Sequence, residues 1–242
     1  MKLKDILSEL SYIFFPKRCR YCGQVITPKS DLCDKCSKDL PEITDPVCDL
    51  CGHNKSDCVC KRKKNYYSSI YAPFYYEDMI KTAVSRMKFR ENPALCLDFA
   101  ADMYKVFLQK YSDIDFDLIC YIPFSLSKAK KRSFNQAEIL AKHLSELTGI
   151  ELSDTLCCLF DIKSQHFLGG ADRKGNVFGA YGLSDENAVR DKTVLLVDDI
   201  KTTGATLDEC AKMLRLYGAK QVYALTFAIA KAPEKTDTDA DI

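Results

Sequence analysis

Two carboxylates side by side, Asp198 and Asp199, end the apolar run Val194, Leu195, Leu196, Val197 and precede Ile200, Lys201, Thr202, Thr203, Gly204, Ala205 and Thr206. Folding alone gives poor reason for such a string. Like charges at the mouth of an apolar strand repel, and partial burial adds a desolvation cost, so a ligand bringing hydroxyls or a cation would supply the missing partners. Ionised carboxylates only accept hydrogen bonds and suit the 2′ and 3′ hydroxyls of a ribose. Threonine hydroxyls and loop N–H groups suit a phosphate, and Gly204 lets the backbone approach closely. Leu207, Cys210, Ala211, Leu214 and Tyr217 recur at helical spacing, which sets a helix N-terminus, with its open amides and dipole, directly after the loop. The plainer alternative is a βα turn with one strand-ending Asp and one capping Thr, which accounts for one residue of each kind but not for the whole string.

A second constellation is made of cysteines, thirteen in all, with eight clustered near the N-terminus. Cys19 and Cys22 with Cys33 and Cys36 form two knuckles able to aim four thiolates at one zinc ion. Cys48 and Cys51 open a similar unit that closes on Cys58 and Cys60, whose one-residue gap departs from the usual spacing and keeps His53 as an alternative ligand. Disulfides are the competing reading, disfavoured in a reducing compartment. Four thiolates leave no open position on the metal, so about two structural zinc ions are expected. So few large apolar residues lie among these cysteines that the module should need metal to fold. Cys96, Cys120, Cys157, Cys158 and Cys210 sit in apolar contexts and read as small buried hydrophobes.

The rest of the chain must position these groups. With 242 residues, 47% hydrophobic and 29% charged, it has enough material for one α/β domain and a small module. Apolar spacing predicts helices over residues 78–87, 94–108, 136–147 and 205–217 and strands over 116–122, 193–197 and 221–229, with another strand near Ile70, Ala72 and Phe74. Such alternation implies a mainly parallel sheet with flanking helices, and ligands then bind beyond the carboxyl ends of the strands. Asp198 stands at one such end. Pro123 stands at another, opening a loop with Lys128, Lys130, Lys131 and Arg132 where a pyrophosphate could sit.

A net charge of +1 gives no global attraction to nucleic acid, leaving only local patches. Lys61, Arg62, Lys63 and Lys64, followed by Tyr66, Tyr67 and Tyr71, suit a single strand through phosphate contacts and base stacking, although a solvated linker is the plainer reading. No apolar run approaches the roughly 20 residues that cross a bilayer, so membrane insertion is not expected. Asp5 and Glu9 interrupt the first segment, where Leu3, Ile6, Leu7, Leu10 and Phe14 suggest a docked amphipathic helix rather than a leader, and a cytoplasmic protein is expected. The organisation read from the sequence is an N-terminal helix at 1–18, a cysteine-rich double zinc ribbon at 19–65, the large domain at 66–231 and a disordered acidic tail at 232–242.

The string from Val194 to Thr206 resembles the phosphoribosyl pyrophosphate motif of type I phosphoribosyltransferases at nearly every position. Arg132, Ser133, Phe134, Asn135 and Gln136 are similar to the RGFNQ signature of the ComF family, with Ser133 for the usual Gly. Gln165, Leu168, Arg173 and Asn176 match that family's next block, and Met87, Lys88, Phe89 and Arg90 resemble its LKyrg segment. The likeness runs from about Cys19 to about Ala230. It implies a type I phosphoribosyltransferase fold, an α/β architecture, with a zinc-ribbon module. It also implies Asp198 and Asp199 on the ribose hydroxyls, and Lys201, Thr202, Thr203, Gly204, Ala205 and Thr206 around the 5′-phosphate. The loop from Pro123 to Arg132 would meet pyrophosphate, with Mg²⁺ bridging pyrophosphate and ribose oxygens. Arg132 and Arg173 would make fork-like phosphate contacts, Lys88, Gln165 and Asn176 would join the substrate site, and residues 165–176 would close as a lid. The implied ligand is phosphoribosyl pyrophosphate or a nucleotide, and the implied setting is DNA uptake or repair with single-stranded DNA and competence or repair proteins as partners. No residue names an acceptor for transfer. A regulatory or strand-handling protein without turnover is the alternative on the same fold.

Overall fold

A computed structural model of the chain describes residues 14–58, 60, 65–89, 94–125, 129, 133–159 and 179–231. The N-terminal helix through Leu10, the basic run Lys61 to Lys64, Lys128, Lys130, Lys131 and Arg132, the block with Gln165, Arg173 and Asn176, and the acidic tail lie outside these residues.

Eight strands are present among them: β1 (Ile70–Tyr71), β2 (Phe74–Tyr75), β3 (Leu118–Tyr121), β4 (Glu151–Ser153), β5 (Leu156–Cys158), β6 (Tyr181–Leu183), β7 (Thr193–Lys201) and β8 (Gln221–Ile229). Six of them make one sheet in the order β1, β8, β7, β3, β4, with β2 also on β8, and every pairing is parallel. The remaining pair, β5 and β6, is a separate antiparallel ribbon. The helices are α1 (Asp34–Asp39), α2 (Asp78–Phe89), α3 (Ala94–Lys110), α4 (Gln136–Thr148) and α5 (Ala205–Leu216).

A parallel sheet covered on both faces needs strands apolar at every position, and period two then divides them between the faces. Ile119, Leu195, Val197, Leu225 and Phe227 share a core with Ile80 and Met87 of α2, Phe99 and Met103 of α3, and Leu140 and Leu144 of α4. Leu118, Cys120, Val194, Leu196, Val222 and Ala224 share the opposite core with Leu207, Cys210 and Leu214 of α5. The expected helices and central strands thus form at nearly the expected bounds.

Strand β7 differs in one respect that bears on function. Its apolar run stops at Val197, but the strand continues through the acidic pair to Lys201. Nine residues of β8 continue alongside, and Asp198 opposite Thr226, Ile200 opposite Ala228 and Lys201 opposite Ile229 complete the ladder. Available backbone partners outweigh the poor strand propensity of adjacent aspartates.

Candidate phosphate and metal sites

Because β7 is still a strand at the acidic pair, its alternation sends the two carboxylates to opposite faces. Asp199 faces α2 and α3, where it forms an ion pair with Lys88, both side chains being about 15% exposed. Its charge, after burial, also helps push the Cys96 thiol up to about 12. Asp198 lies on the α5 side, where burial, Cys210, Cys158 and then Asp198 raise the Tyr181 phenol, and Thr206 acts against them. Asp198 Oδ1 accepts from the Asp199 amide at 2.8 Å. Tyr181 had no signal in the sequence, since a lone tyrosine in a three-residue strand has no periodicity to reveal it. The resemblance alone had pointed to Lys88.

The loop after β7 turns into α5 at Gly204, whose φ of +79° is left-handed backbone that favours glycine. A Cβ there would stand 3.1 Å from Lys201 Cε. No side chain caps α5, and Ala205 N donates to Thr203 Oγ1 at 3.3 Å. Thr202 and Thr203 are exposed, and Ala205 and Thr206 are half-buried beside them. This is an amide-rich turn at a helix N-terminus, suited to an anion. Lys201 does not join it. Its side chain is buried, its Nζ donates to Cys51 O at 3.1 Å, and burial lowers it while Cys51, Cys60 and Cys48 act in the opposite direction.

Pro123 follows β3 beside this site, because Ile122 N donates to Val197 O at 3.0 Å. Asn135 ties the same strand end to α4: its Nδ2 donates to Ile122 O at 3.0 Å and its Oδ1 caps Ala137 N at 3.1 Å. The motif residue therefore holds loop geometry. Tyr121, Pro123, Phe124, Phe134, Asn135 and Leu156 help line an open cleft of about 340 Å³ there.

The cysteines form the two expected groups, Cys19, Cys22, Cys33, Cys36 and Cys48, Cys51, Cys58, Cys60, each with its sulfurs within 4.8 Å of one another. All are free thiols. Cys22 and Cys33 sulfurs are 3.5 Å apart and Cys51 and Cys58 sulfurs 3.7 Å. Those spacings are far beyond a disulfide bond of about 2.05 Å. They approach the roughly 3.8 Å edge of a tetrahedron with 2.3 Å zinc–sulfur bonds. Burial opposes ionisation of Cys19, yet N–H donors from Cys33, Cys22 and Tyr21 bring its thiol down to about 7. Cys58 is lowered chiefly by the Cys60 amide. The donor sets thus fit two structural zinc ions.

His53 is outside the second set. Its Nε2 faces Ala230 O at 3.0 Å; a carbonyl only accepts, so Nε2 carries the hydrogen. Of the basic patch's tyrosines, Tyr67 is buried and Tyr71 half-buried, leaving Tyr66 exposed.

Residues 96–241 match the family model described as phosphoribosyl transferase domain, more than half of the chain, and residues 10–64 match the double zinc ribbon domain. The chain belongs to the phosphoribosyl transferase domain family. Its architecture is therefore the type I phosphoribosyltransferase fold joined to two zinc-ribbon-like groups. This member is similar to the competence protein ComFC of Bacillus subtilis (strain 168), at 29% identity over 202 residues, 78% of this chain and 80% of the relative. It is also similar to competence protein F of Haemophilus influenzae, at 26% identity over 220 residues, 86% of this chain and 95% of the relative. Among solved structures it is similar to a purine phosphoribosyltransferase from Pyrococcus horikoshii Ot3 at 23% identity, covering 55% of this chain and 73% of that one with a TM-score of 0.35. No helix among the described residues is long and apolar enough to cross a membrane.

Proposed function

We propose that this phosphoribosyltransferase-family chain binds phosphoribosyl pyrophosphate, or a nucleotide carrying the same ribose phosphate, with Mg²⁺, in the service of DNA uptake during competence in the cytoplasm. The observation that carries the reading is the unit formed by the end of β7, the turn at Gly204 and the start of α5. In it the 5′-phosphate sits on the amides of residues 202–206, where the α5 dipole favours it. The ribose diol meets Asp198 and Asp199, and since these diverge, binding must open the Lys88–Asp199 pair. Lys88 is then released next to the pyrophosphate, joined by the loop after Pro123 and by Arg132. Mg²⁺ supplies charge neutralisation across pyrophosphate and ribose oxygens.

Transfer to an acceptor demands a pocket beside the ribose carbon, with Gln165, Arg173 and Asn176 closing over it to exclude water. Asp198, Asp199 and Arg132 are the groups assigned to the reacting sugar. The relatives' names, which place them in competence, support the biological setting. A second reading, nucleotide or single-strand handling without turnover, is favoured by the aromatic walls of the cleft at Tyr121, Phe124 and Phe134. A thermal-shift series separates the two, because a ligand of the folded state raises the melting temperature by mass action. Stabilisation by phosphoribosyl pyrophosphate with Mg²⁺ supports the first. Stabilisation by oligonucleotides alone supports the second and removes the first.

A further inference from the structure

The second cysteine group lies against the phosphate loop, and the side chains of Lys201 and Tyr67 stand between them, reaching Cys51 O and Leu50 O. We propose that Lys201 positions the phosphate loop by tying it to the Cys51 carbonyl, so that the shape of residues 202–206 depends on metal held by Cys48, Cys51, Cys58 and Cys60. The proposal rests on the ligand-binding reading above and gives a motif residue a role other than touching the ligand.

Several independent contacts converge on this junction. Lys201 Nζ reaches Cys51 O at 3.1 Å in a buried setting. Its methylene stem runs beneath Gly204, where even a Cβ would crowd Lys201 Cε. Main-chain bonds continue the tie: Ala230 N donates to Lys201 O at 2.8 Å, and His53 Nε2 donates to Ala230 O. Gly52, with φ of +76°, packs so closely that a Cβ would strike Ile229 and lie 3.1 Å from Ile70 O. Beyond the knuckle, Tyr66 N donates to Asp208 Oδ1 at 2.7 Å, holding the first turn of α5.

The Cys51 carbonyl is aimed by the turn in which Gly52 N donates to Cys48 O at 2.7 Å. That turn is fixed when both of its sulfurs are bound to one ion, because a metal knuckle is not formed without its metal. Metal loss therefore removes the acceptor geometry, and the stem under Gly204 is no longer held. The first cysteine group has no such contact with the loop among the described residues.

The test combines Lys201→Met, which keeps the stem and drops the ammonium, with Cys58→Ser plus Cys60→Ser, which reduces zinc from about two ions to about one. Amide exchange of residues 202–207 is followed by mass spectrometry in the full chain, with β3 and α4 as internal references, and phosphoribosyl pyrophosphate affinity is measured alongside. Exchange in the loop should rise about tenfold in each variant, as expected for loss of a buried charged hydrogen bond, and affinity should fall by a similar factor. The references should not move, and the combined variant should be no worse than the cysteine variant, since coupled sites are not additive. Wild-type exchange in Lys201→Met, or losses that add in the combined variant, would overturn the proposal. If the wild type does not bind the sugar, the functional reading fails while the exchange comparison still decides the tie.

Discussion

The two cysteine groups share their chemistry and differ in what they hold. The first is built into the hydrophobic core: Cys19, Cys33 and Cys36 are buried with Tyr21 beside Phe74 and Phe99. Arg86 Nη1 donates to Cys19 O, Arg20 O and Tyr21 O at 3.0–3.2 Å. Tyr21 Oη donates to Asp102 Oδ2 at 2.6 Å, and Asp102 also takes Arg20 and Lys105. These contacts secure the module to α2 and α3. The second group instead meets β1, Ile229 of β8 and Lys201. Identical ligand sets can therefore serve stability in one place and site geometry in the other, because neighbours rather than ligands set the consequence.

Disrupting the first group should give the largest effect. Cys33→Ser with Cys36→Ser removes metal binding that is itself folding free energy, so cooperative melting should be lost or its midpoint should fall by about 10 °C or more. Calorimetric melting with zinc analysis checks this, and an unchanged midpoint would show the group to be peripheral. Asp102→Ala should come next, costing about 3 kcal/mol in denaturant unfolding by stranding Tyr21 and Arg20. Ligand affinity should stay constant in that variant, which is what separates the two regions. Smallest in stability is Gly52→Ala. Left-handed backbone and the approach to Ile70 O should cost about 1–3 kcal/mol, yet ligand affinity should fall, since the knuckle that holds Lys201 is displaced. A Gly52→Ala chain with normal affinity would erase the distinction.

The chemistry of the site was more legible in the sequence than its orientation. The cysteine spacing gave both metal groups, and the one-residue gap between Cys58 and Cys60 proved compatible with a four-sulfur cluster. Helix periods located α2 to α5 within a few residues because each has a long apolar stripe. What could not be read was the partner of each charge. Lys201 looks like a phosphate ligand in one dimension, since nothing local reveals that Cys51, 150 residues earlier, offers it a carbonyl. Extension of β7 past Val197 depends on β8, a partner that acts only after folding. The short strands β4 to β6 have too few residues to show a period, and Tyr181 goes with them.

Calorimetric titration of phosphoribosyl pyrophosphate with Mg²⁺ into the full chain, beside the Asp198→Ala, Asp199→Ala variant, tests the central claim most directly. Saturable binding by the wild type, weakened at least about a hundredfold by loss of two charge-assisted hydrogen-bond acceptors in the variant, is the predicted result. Equal affinity in the two chains, or no heat from the wild type, would contradict it.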